Sequence, residues 1–282
     1  MVFNDRKIAF IGSGVMAEAM IGGLIREQVA RPELLLAAGP RPERGEKLQR
    51  LYGVVPFTDN CQAAGQADVV VLSVKPQKLN VVLDELKGQI QPHALVLSIV
   101  AGAPMERIAA GLLHPLVVRS MPNTPAQIGE GITVWTAAPQ VTDEQREMAR
   151  TILAALGEEI YVEEEGYLDM ATALSGTGPA YVYLFMEAMV DAGVHLGFPR
   201  RIAEKLVAQT VRGAVDYYTR RDDPVHLARL RNQVTSPGGT SAEALYYLEK
   251  AGFRTAISRA IWAAYERSVE LGRGAQVRPP DR

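Results

Sequence analysis

From residue 7 to residue 119 the chain repeats one unit, a short run of aliphatic and β-branched residues followed by a segment of helical spacing. The runs are 7–11, 34–38, 68–74, 95–100 and 116–119. Each is too short for a helix and apolar at successive positions, the mark of a strand buried on both faces, as in parallel sheets. The segments between them, 15–27, 42–51, 78–86 and 104–113, space their apolar residues as helices do. Strands and helices alternating at this pace predict βαβ units and a parallel sheet covered on both sides. Residues 132–137 and 159–162 read as two further strands, with a helix at 142–156 between them. From residue 168 the texture changes. No run there reads as a strand, and helices are predicted at 179–196, 199–219, 241–251 and 253–271, punctuated by Gly197, Pro199, Pro224 and the loop 236–239.

Composition sets the limits. The 282 residues carry a net charge of −2, which argues against a nucleic-acid binder, whose face is normally basic. One cysteine allows no internal disulfide and no cysteine-based zinc site, so a reducing, cytoplasmic setting is expected. No apolar stretch approaches the ~18 residues that span a bilayer, and Asp5, Arg6 and Lys7 interrupt any secretory leader. Neither nucleic acid nor a membrane is an expected partner.

The first strand ends in Gly12-Ser13-Gly14-Val15-Met16-Ala17, a Gly-x-Gly-x-x-Ala turn leading into a helix. Gly12 permits the tight turn, Gly14 lets backbone approach a pyrophosphate at the helix N-terminus, and Ala17 is a tolerated third position. In the first βαβ unit this pattern points to a dinucleotide site. The fold class follows as α/β, with a Rossmann-type parallel-sheet domain over 1–165. An all-α dimerisation and substrate domain then covers 166–272, and 273–282 reads as a flexible tail. The apolar surface of the helical half is expected to be buried against another subunit.

Cofactor choice is read at the end of the second strand, where an NAD-specific site places Asp or Glu. Here stands Gly39-Pro40-Arg41-Pro42-Glu43-Arg44, so Arg41 and Arg44 are candidates to neutralise a 2′-phosphate, and NADPH is favoured, with Glu43 keeping NADH open. Lys75 and Gly102 sit just past two later strands, whose ends should face the cofactor as well; a surface lysine and a loop glycine are the alternative readings. In Val234-Thr-Ser-Pro-Gly-Gly-Thr-Ser241 the Pro and Gly residues break one helix and Thr240 and Ser241 open another. Two readings stay open: an ordinary Ser/Thr N-cap, or a nest of backbone amides at Gly239, Thr240 and Ser241 that holds a carboxylate.

That motif closely resembles the signature of pyrroline-5-carboxylate reductases. So do Leu248-Glu-Lys-Ala-Gly-Phe-Arg254, Arg119-Ser-Met-Pro-Asn-Thr-Pro125, Val74-Lys75-Pro76 and Leu174-Ser-Gly-Thr-Gly-Pro-Ala-Tyr181. The resemblance runs from Ile8 to about Arg254. It implies a Rossmann domain, an intertwined helical dimer, often a decamer, and NAD(P)H-dependent reduction of 1-pyrroline-5-carboxylate to L-proline. It places Gly12, Ser13, Gly14, Val15 and Met16 at the pyrophosphate, Arg41 at the adenosine phosphate, and Asn60, Val74, Lys75, Pro76, Ala101 and Gly102 along the cofactor. It places Glu165, Thr240 and Ser241 at the substrate, to which the amide nest would add Gly239, Ser241 being the expected catalytic contact where the family usually has Thr. Read by itself, 163–165 is a solvated charge run.

The rivals are a β-hydroxyacid dehydrogenase, a reductase of a related cyclic imine and a non-catalytic cofactor-binding homologue. The first needs a Lys and an Asn four residues on in the helix 179–196, which contains neither. His93, His114, His195 and His226 have neither metal-ligand spacing nor a triad context, and Cys61 has no nearby His, so no metal is expected.

Overall fold

The computed structural model describes Phe3 and residues 5–273. In chain order the elements are β1 (Ile8–Ile11), α1 (Val15–Arg26), β2 (Leu35–Ala38), α2 (Pro42–Tyr52), β3 (Val55–Phe57), α3 (Asn60–Ala64), β4 (Val69–Leu72), α4 (Leu79–Leu86), β5 (Leu95–Ser98), α5 (Met105–Leu112) and β6 (Val117–Met121). There follow β7 (Gly131–Ala137), α6 (Asp143–Ala154), β8 (Gly157–Tyr161), α7 (Tyr167–Ala171), α8 (Gly178–His195), α9 (Arg200–Thr219), α10 (Leu227–Gln233), α11 (Thr240–Lys250) and α12 (Phe253–Gly272). A π-helical turn, Thr172–Gly176, joins α7 to α8. Of the expected tail, residues 274–282 lie outside the described residues.

By internal packing the described residues divide into two units. One takes those of Met1–Gly178 and Ala263–Arg282, the other Pro179–Trp262. The first is built on an eight-stranded sheet of order β3-β2-β1-β4-β5-β6-β7-β8, parallel from β3 to β6. β1 therefore has β2 on one side and β4 on the other, the reversal of strand order beside which open α/β sheets bind ligands at their carboxyl ends.

The sheet's alternation sorts its residues onto two cores. Ile8, Phe10, Val69, Val71, Leu95 and Leu97 pack with Met20 and Leu24 of α1 and Ile152 of α6. Ala9, Ile11, Val70, Leu72 and Val96 pack with Ala63 of α3, Leu83 of α4 and Ile108 of α5. Both faces are apolar because both are covered, hence the continuous aliphatic runs.

β7 runs antiparallel to β6, and β8 parallel to β7. The segment between β6 and β7 is too short for a crossover, so the chain reverses; α6 then supplies the crossover that brings β8 back parallel. A capping box starts α6, with Thr142 accepting from the Gln145 amide and the Gln145 side chain accepting from Thr142 N–H. β3 was not expected, because it is three residues long and contains Pro56. It lies at the sheet edge, where a missing N–H is tolerated. α3 and α10 were also unforeseen, each being under two turns or nearly so.

The second unit has only a small core of its own, Val190, Ala203 and Val207 with Met186, Met189, Val194 and Val211 around it. Gly193 lets α8 approach α9 closely, since a Cβ there would stand 3.1 Å from the Ala203 Cβ. Tyr183, Leu184, Leu206, Tyr217 and Leu227 remain exposed, and Leu196 is 83% exposed. Among the described residues no helix is long and apolar enough to cross a membrane.

One buried titratable group makes the fold sensitive to pH. His114 is 5% exposed and its Nε2 lies 2.6 Å from the Ala94 carbonyl oxygen. Burial pushes its imidazole below the ordinary value of 6.5, and the bond to Ala94 opposes this only in part. The unfolded chain therefore takes up this proton first as pH falls. The contribution of His114 is complete above about pH 6.5 and is lost below it. His114→Gln, which keeps a donor but cannot titrate, should show a stability gap to wild type that narrows between pH 7.5 and 5.5 in urea denaturation. A gap independent of pH would contradict this.

Candidate functional site

In the sheet unit, the ends of β1, β2, β4 and β5 line up, with Ile11 paired to Ala38 and Leu72, and Leu72 to Ser98. The turn after β1 is held by the Gly12 amide on the Ala38 carbonyl (3.0 Å) and the Gly14 amide on the Gly12 carbonyl (2.9 Å). Ser73 Oγ donates to the carbonyls of Ile11 (3.1 Å) and Gly12 (2.8 Å), tying the turn to the end of β4.

The two glycines serve different ends. Gly12 has φ +99°, and a Cβ there would meet Val74 Cγ1 at 2.7 Å and the Ser73 carbonyl oxygen at 2.9 Å. Gly14 has an ordinary extended backbone, and a Cβ there would project into open space. Gly14 is also the N-cap of α1 and makes no side-chain cap, so the amides of Val15 and Met16 carry no hydrogen bond among the described residues. Open space beside unpaired amides at a helix N-terminus fits a pyrophosphate. Ala17 is fully buried under the turn.

Around this turn the expected cofactor residues are placed as follows. Ser13 is buried and its Oγ lies against Gly39. Arg41 and Lys75 are exposed, and their side chains make no hydrogen bond or ion pair among the described residues. Arg44 is not free for a phosphate. It donates to the carbonyls of Ser13 (2.7 Å) and Gly14 (3.2 Å) and pairs with Glu18 at 2.5 Å. Val74 packs on Gly12, and Pro76 opens a 3-10 turn. Ala101 is half-buried and Gly102 buried. At φ +65° the missing Cβ of Gly102 makes room for the Ser268 carbonyl and Leu271 of α12, so it is the chain itself that approaches closely there.

Asn60 opens α3, and its Nδ2 donates to Glu85 (2.9 Å) while its Oδ1 is buried without a partner. Asp59, Cys61 and Glu85 bring one ligand atom each within 4.8 Å of one another. Burial, then Glu85 and Asp59, push the Cys61 thiol up, so it is held as the neutral thiol rather than a nucleophilic thiolate.

Glu165 is not a solvated charge. Its Oε1 accepts from the Met105 amide at the start of α5 (2.7 Å) and from Arg119 Nη1 (3.1 Å). Arg119, 3% exposed, also donates to Asp169 Oδ1 (2.9 Å), which accepts from Ser268 Oγ of α12 (2.7 Å). One buried guanidinium thus joins β6, α7 and the segment after β8, and through their carboxylates reaches α5 and α12. In the sequence Arg119 stands only as part of a motif, with nothing local to assign it this task. The available signal was an arginine following Val117 and Val118 in a strand that should be buried.

In the helical unit, the residue capping α11 is Gly239, with no side-chain cap. Thr240 and Ser241 are the first two residues of the helix rather than its caps. The expected nest is reduced by one amide, because Gly239 N–H is bonded to the Ser236 carbonyl (3.0 Å). The amides of Thr240 and Ser241 carry no hydrogen bond among the described residues, and the Ser241 side chain is half-buried. Gly238, at φ +69°, makes the turn possible.

The sheet order and the open glycine turn define a dinucleotide-binding protein of the Rossmann class. Residues 7–102 match a family described as NADP oxidoreductase, coenzyme F420-dependent, and residues 165–271 match pyrroline-5-carboxylate reductase dimerisation. The pyrroline-5-carboxylate reductase of Synechocystis sp. is 43% identical over 95% of this chain and 98% of its own. That of Pseudomonas aeruginosa is 41% identical over 94% and 96%. A Plasmodium falciparum pyrroline carboxylate reductase solved with NADP bound superposes with a TM-score of 0.85 at 31% identity, covering 95% of this chain and 98% of that one. The chain belongs to the pyrroline-5-carboxylate reductase family. It uses NAD(P)H and carries the family's dimerisation domain.

Removing one partner of a buried ion pair strands the others, at a cost of ~3–5 kcal/mol. Arg119→Met, which leaves Glu165 and Asp169 without their cation, is expected to lose stability of that order in chemical denaturation. A loss under about 1 kcal/mol would mean the pairing is unimportant to the fold.

Proposed function

We propose that this chain catalyses the last step of proline biosynthesis, reduction of the C=N bond of 1-pyrroline-5-carboxylate to L-proline by hydride transfer to the imine carbon. The observation that carries this is the uncapped start of α11, where Thr240 and Ser241 offer unpaired amides in a chain that also has an open phosphate turn. The free amides suit a carboxylate, and the helix dipole favours its charge.

The roles are assigned residue by residue. Gly12, Ser13, Gly14, Val15 and Met16 form the pyrophosphate turn, with Asn60, Val74, Lys75, Pro76, Ala101 and Gly102 along the rest of the cofactor. Arg41, with no acidic residue at the end of β2, favours NADPH over NADH. When bound, the reduced nicotinamide supplies the hydride. The amides at the start of α11 hold the substrate carboxylate, and the Ser241 hydroxyl orients the ring nitrogen. Glu165 is assigned to the substrate as a further polar contact. A protonated cyclic imine is already electrophilic, so these residues contribute alignment more than proton transfer. Functionally, 1–165 is the cofactor domain and 166–272 the substrate and dimerisation domain. The working form is a cytoplasmic homodimer, which in turn can build a decamer.

The direct test is oxidation of NADPH, with NADH in parallel, on addition of 1-pyrroline-5-carboxylate. Turnover with a six-membered homologue only would move the substrate assignment, and none with any cyclic imine would indicate a non-catalytic homologue. Ser241→Ala should lower kcat/KM for the imine about tenfold, the loss of one aligned hydrogen bond, and leave the affinity for NADPH unchanged. An unchanged kcat/KM would remove Ser241 from the mechanism. Gly14→Ala should fold within about 1 kcal/mol of wild type and fail to bind NADPH. Gly12→Ala should be destabilised outright, because its Cβ has nowhere to go.

A further inference from the structure

Arg44 was a candidate for the 2′-phosphate, and the structure engages it elsewhere. Its guanidinium spans the carbonyls of Ser13 and Gly14 and closes on Glu18, whose other oxygen accepts from Tyr52 OH at 3.4 Å. Arg44 and Glu18 are both about one-fifth exposed. In a trans peptide the carbonyl and the following amide point to opposite sides. The Gly14 carbonyl also accepts from the Glu18 amide at 3.0 Å, and holding it toward Arg44 as well turns the Val15 amide away from that guanidinium. Arg44 cannot serve a phosphate at that amide without releasing the carbonyls. It also neutralises Glu18, a carboxylate in the first turn of the helix whose N-terminus has to accept an anion.

We propose that Arg44, locked by Glu18, is a positioning residue for the phosphate turn that supports NADPH and NADH equally and does not distinguish them. The inference rests on the dinucleotide reading of the turn. It assigns to Arg44 and Glu18 a fixed task in presenting the Val15 amide.

The test is calorimetric titration of the full-length protein with NADPH and with NADH. Arg44→Gln should weaken both by the same factor, about tenfold, through loss of the charge-assisted bonds that hold the turn. Glu18→Gln combined with Arg44→Gln should recover part of that loss for both, because the unneutralised carboxylate is gone. Arg41→Ala serves as the contrast and should weaken NADPH alone. Should Arg44→Gln not fold, Arg44→Lys keeps the charge and loses the fork, and is expected to weaken both dinucleotides equally. Weakening confined to NADPH would make Arg44 a phosphate ligand and overturn the proposal, as would no change for either dinucleotide. Failure of the double variant to recover any affinity would overturn the neutralising role of Arg44. A wild-type protein that binds neither dinucleotide would overturn the reading of the turn, and this inference with it.

Discussion

A single guanidinium, that of Arg119, ties the far half of the sheet unit together. A charge placed in a buried strand is costly unless it is paired and hydrogen-bonded. Glu165 and Asp169 meet that requirement, and in doing so commit chain segments far apart in sequence to fixed positions. Through Glu165 the first amide of α5 is satisfied, and through Asp169 the end of α12 is anchored beside Gly102. The loop after β5 is thereby bounded by its own helix start and by α12. Apolar packing of equal area would hold these elements together less specifically, since it fixes no directions.

At the other half the constraint is steric. β1, its turn and α1 form a compact device because Gly12 admits Val74 and Ser73 where no side chain fits, while Ala17 seals the helix against the strand. The position two residues after Gly12 is open. The difference between an interior glycine and an exposed one separates the scaffold of the turn from its open face, and Arg44 bonds the carbonyls of Ser13 and Gly14 within it.

Much of this was legible in the sequence, for physical reasons. Strands buried on both faces show as aliphatic runs, and β1, β2, β4, β5 and β6 were all visible that way. The turn Gly12–Ala17 was legible because its context, strand before and helix after, is local. What was not legible depends on long-range partners. The run 163–165 looks solvated from its neighbours alone, since Arg119, 46 residues earlier, is what engages Glu165. Arg44 looked like a free cation for the same reason. β3 was hidden by Pro56, which only an edge position excuses, and the first residues of α11 looked like caps until Gly239 proved to hold that place.

The start of α11 has one consequence that reaches beyond geometry. A carboxylate held there meets peptide dipoles, and dipoles do not titrate. A lysine or histidine in the same role would impose its own proton equilibrium on every binding event. At the carboxylate, a site of amides adds no proton equilibrium of its own, so there the ionisation of the ligand is the acid–base variable.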